Sequence, residues 1–446
     1  MKKIELIAAF SRHGRRCKYA LGGVFASQKL RLTILAGTLI LSSCFSPYTG
    51  DESAITINFG SNALAVYPGD ASEFLRYLDH QITLTGPTGT LNRTVKGGGS
   101  VKLYVAPGSW EVQVTDTCGG IPFAYSVPET FDVKRGENNA VSIRMYDEGN
   151  YFFTVNNFSD WGLITSATGD KCIILTGSFS ATSPLNFGPA TNVAILGNGK
   201  TITYTVVGAG SCFSLASGLS VTINDVNIEG KGGPDPLVNI AGGSFTMDGG
   251  EISGNGGFGV HVSGSGSFTM NGGTISRNYN YGVNVNGGFF TMKSGTISGN
   301  DLSGVQINDP GDVFDMNGGT ISGNSGGVVI FDGSFTMNGG KISGNTNDNG
   351  GGVNILGGTF TMNGGTISGN TASLTGGGGI YIFSGTFIMS GGTISGNNTN
   401  GLGKSLFVQS GNIADFGNGD TISRESTPPA FTPPGGYTDA DLVGKK

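Results

Sequence analysis

A unit of 21–27 residues recurs seven times between Phe245 and Asn397, with a core that reads Phe-Thr-Met, Asn-Gly-Gly, Thr-Ile-Ser-Gly-Asn. Copies begin at Phe245, Phe268, Phe290, Phe314, Phe335, Phe360 and Phe387, and a methionine stands two residues after each. Seven of the nine methionines occupy that one position, so the period is no accident. Each copy continues to an isoleucine, from Ile252 to Ile394, and closes on an asparagine: Asn255, Asn278, Asn300, Asn324, Asn345, Asn370 and Asn397. From the second copy on, a third short run precedes the phenylalanine, as in Val260-His261-Val262 and Ile380-Tyr381-Ile382. Self-similarity at this period means a stacked architecture in which one unit cannot bury its own apolar residues.

Three strands of about three residues, joined by glycine-rich corners, make a closed triangular coil. Alternation sends Phe, Met, Ile and the paired aliphatics inward, and Thr and Ser outward. Stacked at ~4.8 Å, successive coils hydrogen-bond as parallel strands and place each Phe over the next. At roughly 1.5–3 kcal/mol per buried large side chain, the apolar columns account for stability with no catalytic constraint. Glycine, 81 of 446 residues, permits the positive φ that corners need. Asparagine tolerates a left-handed corner too, which predicts a buried ladder of stacked amides after Thr-Ile-Ser. A helical solenoid is excluded, because glycine at this density destroys helices. Rungs without the Phe-Thr-Met core lie upstream, at Cys172-Ile173-Ile174-Leu175, Val193 to Thr203 and Phe213 to Ile228, and a degenerate one follows at Leu406 to Ile422. The expected fold is all-β: a right-handed parallel β-helix of about ten or eleven coils over 160–425, preceded by a small antiparallel β-sandwich over 54–147. Residues 426–446, with Ser-Thr-Pro-Pro and Pro-Pro-Gly-Gly, read as a disordered tail.

The repeat resembles the right-handed parallel β-helix family, in particular glycine-rich surface lipoproteins of spirochaetes whose repeats read much like Phe-Thr-Met-Asn-Gly-Gly-Thr-Ile-Ser-Gly-Asn. It is distantly similar to the repeats of chlamydial polymorphic outer-membrane proteins, without their FxxN spacing. Pectate lyases and polygalacturonases share the fold, and the resemblance therefore brings in an enzyme as an alternative. The polygalacturonase-like motifs NTD, GHG and RIK do not occur here, and no two aspartates are adjacent. Fold alone confers no activity.

The first module shows period-two runs such as Val101-Lys102-Leu103-Tyr104-Val105 and Trp110-Glu111-Val112-Gln113-Val114, which argue for half-buried strands with Trp110 in the core. Its Val-Ala-Pro-Gly-Ser-Trp-Glu-Val segment resembles transthyretin-like and carboxypeptidase-regulatory-like modules, which implies a spacer.

The N-terminus is basic, and Leu32 to Leu41 is an apolar run of ten, too short to span a bilayer and fitting a signal-peptide core. Leu41-Ser42-Ser43-Cys44 follows, and resembles the bacterial lipoprotein cleavage motif. The resemblance implies a signal peptide over 1–43, lipid on Cys44, a linker over 44–53 and attachment to the cell envelope, at the outer membrane or cell surface. The basic region is long for such a signal, and a start at Val24 would give the usual length. From Cys44 onward stand 17 basic and 30 acidic residues, so the body has no basic character with which to neutralise phosphates and nucleic acid is not an expected partner.

Chemistry-bearing groups are few. Cys172 and Cys212 lie 40 residues apart at strand starts; two coils would separate them by ~9.6 Å, beyond disulfide reach, so both are expected as free buried thiols. Three histidines and no CxxC spacing argue against a zinc site. Asp309 and Asp312 are the Ca²⁺ candidates, though Asp309-Pro310-Gly311-Asp312 reads more simply as a turn. No cofactor is expected. The outward positions of the third strand, His261, Asn284, Gln306, Asn354 and Tyr381 with Val329 among them, form a column of mostly amide side chains suited to extended glycans. The expectation is a non-catalytic, lipid-anchored adhesin or glycan-binding scaffold whose partners are the membrane, glycans and surface proteins. A passive envelope protein is the second reading, a polysaccharide lyase or hydrolase the third.

Overall fold

The computed structural model describes residues 53–59, 77–97, 99–141, 143, 145–147, 150–208, 210–401 and 403–409, with further strands at Ile413–Asp415, Thr421–Ser423 and Asp441–Val443. The expected signal segment, Cys44 and the proline-rich stretch lie outside the described residues.

The alternating runs of the first module form two sheets. Ala54–Phe59 lies between Gly99–Tyr104 and Asn138–Val141, while Asp79–Gly86 and Gly108–Cys118 centre the second sheet. The module is not wholly antiparallel, since Ala54–Phe59 runs parallel to Asn138–Val141. Its inward residues, Ile55, Ile57, Ile82, Leu84, Trp110 and Val112 among them, are buried. Trp110 lies against the backbone of Gly86, where any side chain would strike the indole, and its Nε1–H donates to the Ala106 carbonyl at 2.8 Å.

The repeat builds one 22-stranded path from the Phe-Thr-Met and Thr-Ile-Ser strands and a nine-stranded third sheet, all in coil-to-coil parallel register as far as the last regular coil. The first rung, Tyr151–Val155, pairs with Lys171–Leu175, so the solenoid begins upstream of the expected residue 160. Phenylalanine rings from Phe268 to Phe360 stack with centroids 4.6–4.9 Å apart and planes within 7° of parallel, and the end pairs tilt by 27–28°. Methionine and glycine belong together for a steric reason. In the copies from Phe268 to Phe387 the glycine two residues before the isoleucine has φ between +83° and +93°, and a Cβ there would meet the methyl of the preceding coil's methionine at 2.5–2.7 Å, as at Gly273 over Met247 and Gly392 over Met362. The asparagine ladder is present. From Asn278 to Asn397 each Nδ2 donates to the Oδ1 of the next at 2.9–3.0 Å, and each backbone N–H donates to the same oxygen.

Cys172 is not a free thiol. Its sulfur is bonded to that of Cys118, with Cα atoms 6.0 Å apart. The reason lies in Lys171–Leu175, buried along its whole length because it is covered on both sides. Ile173 and Leu175 face the solenoid core, while Cys172 and Ile174 join the core of the first module. Closing a loop with a sequence separation of 54 removes about 4 kcal/mol of unfolded-chain entropy in the simplest treatment. Cys212 remains free and wholly buried, and burial pushes its thiol pKa far up, leaving it inert.

A helical turn closes the N-terminal end of the stack. Asn157 caps Phe158–Trp161 in a capping box, Gly162–Ser166 follows, and Trp161 and Ile164 enter the apolar core, the indole 5.8–6.3 Å from the rings of Phe179, Phe187 and Phe213. At the other end, Ile413–Asp415 adds in parallel to Thr386–Met389, but Thr421–Ser423 turns back antiparallel upon it. The place that Thr421–Ser423 would fill beside Thr393–Ser395 is taken by Asp441–Val443, antiparallel. The tail thus contributes a strand, which corrects its reading as wholly disordered, and it ends the parallel ladder rather than leaving it open to another chain.

A one-dimensional stack predicts unequal costs along the ring column. Phe335→Ala removes a ring held between two others and should lower stability by about 3–5 kcal/mol in chemical denaturation. Phe387, in the last regular coil of the column, should cost less. Equal losses would contradict the stack.

Candidate functional site

The third face carries the sequence-predicted column, and the register brings its members together as adjacent rungs: His261 beside Asn284, then Gln306, Val329, Asn354 and Tyr381. It is not the open wall that alternation implies. Asn284, Gln306 and Tyr381 are only 4%, 9% and 5% exposed. Their polar groups are largely spent on one another. His261 Nδ1–H donates to Asn284 Oδ1 at 2.9 Å, Asn284 Nδ2 to Gln306 Oε1 at 3.0 Å, Gln306 Nε2 to Asn308 Oδ1 at 2.6 Å, and Asn308 Nδ2 to the Val285 carbonyl. His261 therefore has a partner in the next coil. Farther along, Tyr381 stacks on Phe407 at 5.4 Å and its hydroxyl donates to Gln409 Oε1. Later in the stack a small sheet of Thr346–Asn349, Thr371–Gly376 and Asn398–Thr399 grows from the corner before the third strand, and Gly350, Gly377 and Gly403 bring it down onto the backbone beside Asn354, Tyr381 and Phe407.

The Ca²⁺ candidates are occupied by backbone. Asp312 is wholly buried, and its carboxylate accepts from the N–H groups of Gly287 and Gly288 on one oxygen and of Asn308 and Asp309 on the other, at 2.6–3.1 Å. Four donors fill the lone-pair directions that a cation would need. Asp309 supplies the turn, with its carbonyl accepting from the Asp312 N–H. No group of three metal-ligating side chains exists among the described residues.

Two features escaped the sequence reading. A cleft of about 320 Å³ opens where the first module meets the solenoid, lined by Gly119 to Pro122 on one side and by Asp170, Asn192, Ala194, Ser220 and Thr222 on the other. Partial burial pushes the Asp170 carboxyl up, but hydrogen bonds from the side chains and backbone N–H groups of Thr191 and Asn192 outweigh it and hold the pKa below its ordinary value. Beside it, Lys171 is fully buried with Nζ donating to the Gly169 carbonyl at 2.9 Å; burial lowers its pKa, and the Asp170 charge partly restores it. The second feature is an aromatic corner. Phe258 stacks on His261 at 5.7 Å and on Tyr281 of the next coil at 6.0 Å. The signal for it was a departure from the repeat: the same corner holds Ser303, Gly326, Gly351 and Gly378 in later coils.

A family model described as a right handed beta helix region matches residues 172–346. The chain is a right-handed parallel β-helix repeat protein. No curated protein and no solved structure matches it. The coils of the β-helix continue past the matched span, to Leu406–Val408 on the third face.

Two outcomes test these assignments. Asp312→Asn turns an amide donor toward the same N–H groups and should cost about 2–4 kcal/mol, while added Ca²⁺ or a chelator leaves the wild-type melting temperature unchanged. A calcium-dependent rise in melting temperature would restore the metal reading. Asp170 has a folded pKa below its unfolded one, so its contribution is complete above the ordinary carboxylate value of 3.8 and disappears as pH falls through the lower folded value. The stability difference between wild type and Asp170→Asn should accordingly be largest near neutral pH and narrow in acid, as read by denaturant titration at several pH values.

Proposed function

We propose that the protein is exported, anchored to the cell envelope by lipid on Cys44, and displayed at the outer membrane or cell surface as a non-catalytic scaffold or adhesin that binds glycans or surface proteins. The observation that carries this reading is the Cys118–Cys172 disulfide. Such bonds persist in oxidising compartments outside the cytosol, the destination to which the signal-like segment over 1–43 points. The β-helix supports display rather than chemistry. The ladder asparagines, Asn284 and Asp312 are engaged by neighbouring coils, so they hold a fixed surface and are poorly placed to transfer protons. A passive envelope protein is the second reading, favoured by the closed chain of hydrogen bonds from His261 to Asn308.

Anchoring is tested by detergent phase partitioning of the full chain. Wild type should enter the detergent phase, and Cys44→Ser should lose lipid and the cleavage that depends on it. Equal partitioning of the two would remove Cys44 as the anchor. A broad glycan array then separates the binding readings: a scaffold that recognises glycans is retained on at least one, and a passive protein on none.

A further inference from the structure

The third face is open at its N-terminal end, and that end differs chemically from the rest. Along the register, Ser214, Asn239 and His261 precede the closed part of the column. Ser214 is exposed, and Asn239 and His261 are half-buried. Among the described residues, the side chains of Ser214 and Asn239 have no hydrogen-bond partner, and His261, with Nδ1 committed to Asn284, has none at Nε2. This row therefore offers a hydroxyl, an amide and an imidazole acceptor, none of them used by the fold.

The aromatic corner flanks the same row. Backbone hydrogen bonds from Leu237 to Phe258, Gly259 to Tyr281, Gly282 to Ser303 and Gly304 to Gly326 place these carbonyls in one column. Two of its coils carry rings, the later ones carry serine or glycine, and the last carries Lys404. At Gly351 and Gly378 a side chain would strike the backbone of the small covering sheet, so rings have room only where that sheet is absent. In the coil after Tyr281 the same corner position is Ser303, which brings no ring to stack on it. Burial raises the Tyr281 phenol pKa and keeps it neutral.

We infer that Phe258 and Tyr281, with His261, Asn239 and Ser214, form a binding site for uncharged oligosaccharides. This inference rests on the glycan-binding reading and locates it. Rings take the apolar face of a pyranose, while a small number of fixed polar groups orient its hydroxyls. None of the five residues carries a formal carboxylate, ammonium or guanidinium, which favours neutral sugars over uronates.

The test uses substitutions that the repeat itself supplies at these positions. The full chain in detergent is titrated with cellohexaose, chitohexaose and hexagalacturonate, alongside Phe258→Ser/Tyr281→Ser, His261→Asn and, as a control on the covering sheet, Leu374→Ser. Binding of an uncharged hexasaccharide by wild type, weakened about tenfold or more in the double variant and in His261→Asn but not in Leu374→Ser, supports the site. Undiminished binding by the double variant, with its melting curve intact, overturns the site and leaves the glycan-binding reading standing. Preference for hexagalacturonate overturns the neutral-sugar assignment. Failure of wild type to bind these probes or any glycan of a broad array overturns that reading and the site with it.

Discussion

The hydrogen-bonded rise of one coil upon the next governs this molecule. Parallel strands stand ~4.8 Å apart, and every side chain therefore has a neighbour at that distance in the coil above and the coil below. For a phenylalanine this is close to ring-stacking distance, and the central rings of the column lie nearly parallel at 4.6–4.7 Å. For an asparagine it is one amide hydrogen bond. A methionine needs the glycine that its methyl meets. Each residue is favourable chiefly because its like, or its complement, recurs one coil away, which is why the repeat is strict in the core and loose elsewhere.

The same constraint limits where function can reside. A polar side chain on a wall of this kind is within reach of its counterparts, and from His261 to Asn308 they satisfy one another so fully that little is left for a ligand. Binding groups must then be sought where a column is interrupted or ends. Two such places stand out among the described residues: the junction cleft, lined by the first module and by Ala194 and Thr222, and the open start of the third face, where aromatic residues replace serine and glycine. At the cleft the acidic group is already held by four donors from Thr191 and Asn192, whereas the face keeps unpaired groups beside its rings.

The period, the inward columns and the asparagine ladder were legible from residues alone, because each depends on contacts between equivalent positions of successive copies. Contacts between unlike parts were not. Cys118 and Cys172 belong to different modules, and no periodicity relates them; the only trace was four apolar residues in a row at Cys172 to Leu175, the mark of a strand covered on both faces. Alternation correctly directed Asn284, Gln306 and Tyr381 away from the coil interior, but it could not reveal what lies over the face. Beside Asn354 and Tyr381 that cover comes from coil length. The copies that begin at Phe335 and Phe360 run 25 and 27 residues before the next phenylalanine, and the extra residues hold Thr346–Asn349 and Thr371–Gly376. Likewise the Asn308 to Asp312 insertion reads as a loose acidic turn in sequence, yet in the fold its second aspartate is the fixed acceptor for four backbone donors.

Caps complete the logic of a stack. A solenoid is stable in its middle and weakest where a coil lacks a neighbour, so both ends need material that is not repeat. At the start, Trp161 fills the space that a further inward row would occupy, and the disulfide ties the early strand Lys171–Leu175 to a separately cored module. At the finish, the antiparallel strands Thr421–Ser423 and Asp441–Val443 end the parallel ladder, since neither continues the register on which another coil could be laid. The N-terminal coils are therefore braced twice, by a plug inside and a cross-link outside. The open part of the third face, from Ser214 to His261, follows directly upon those braced coils. A surface for rigid recognition is best placed there, because the neighbours that hold its groups in position are the ones least able to fray.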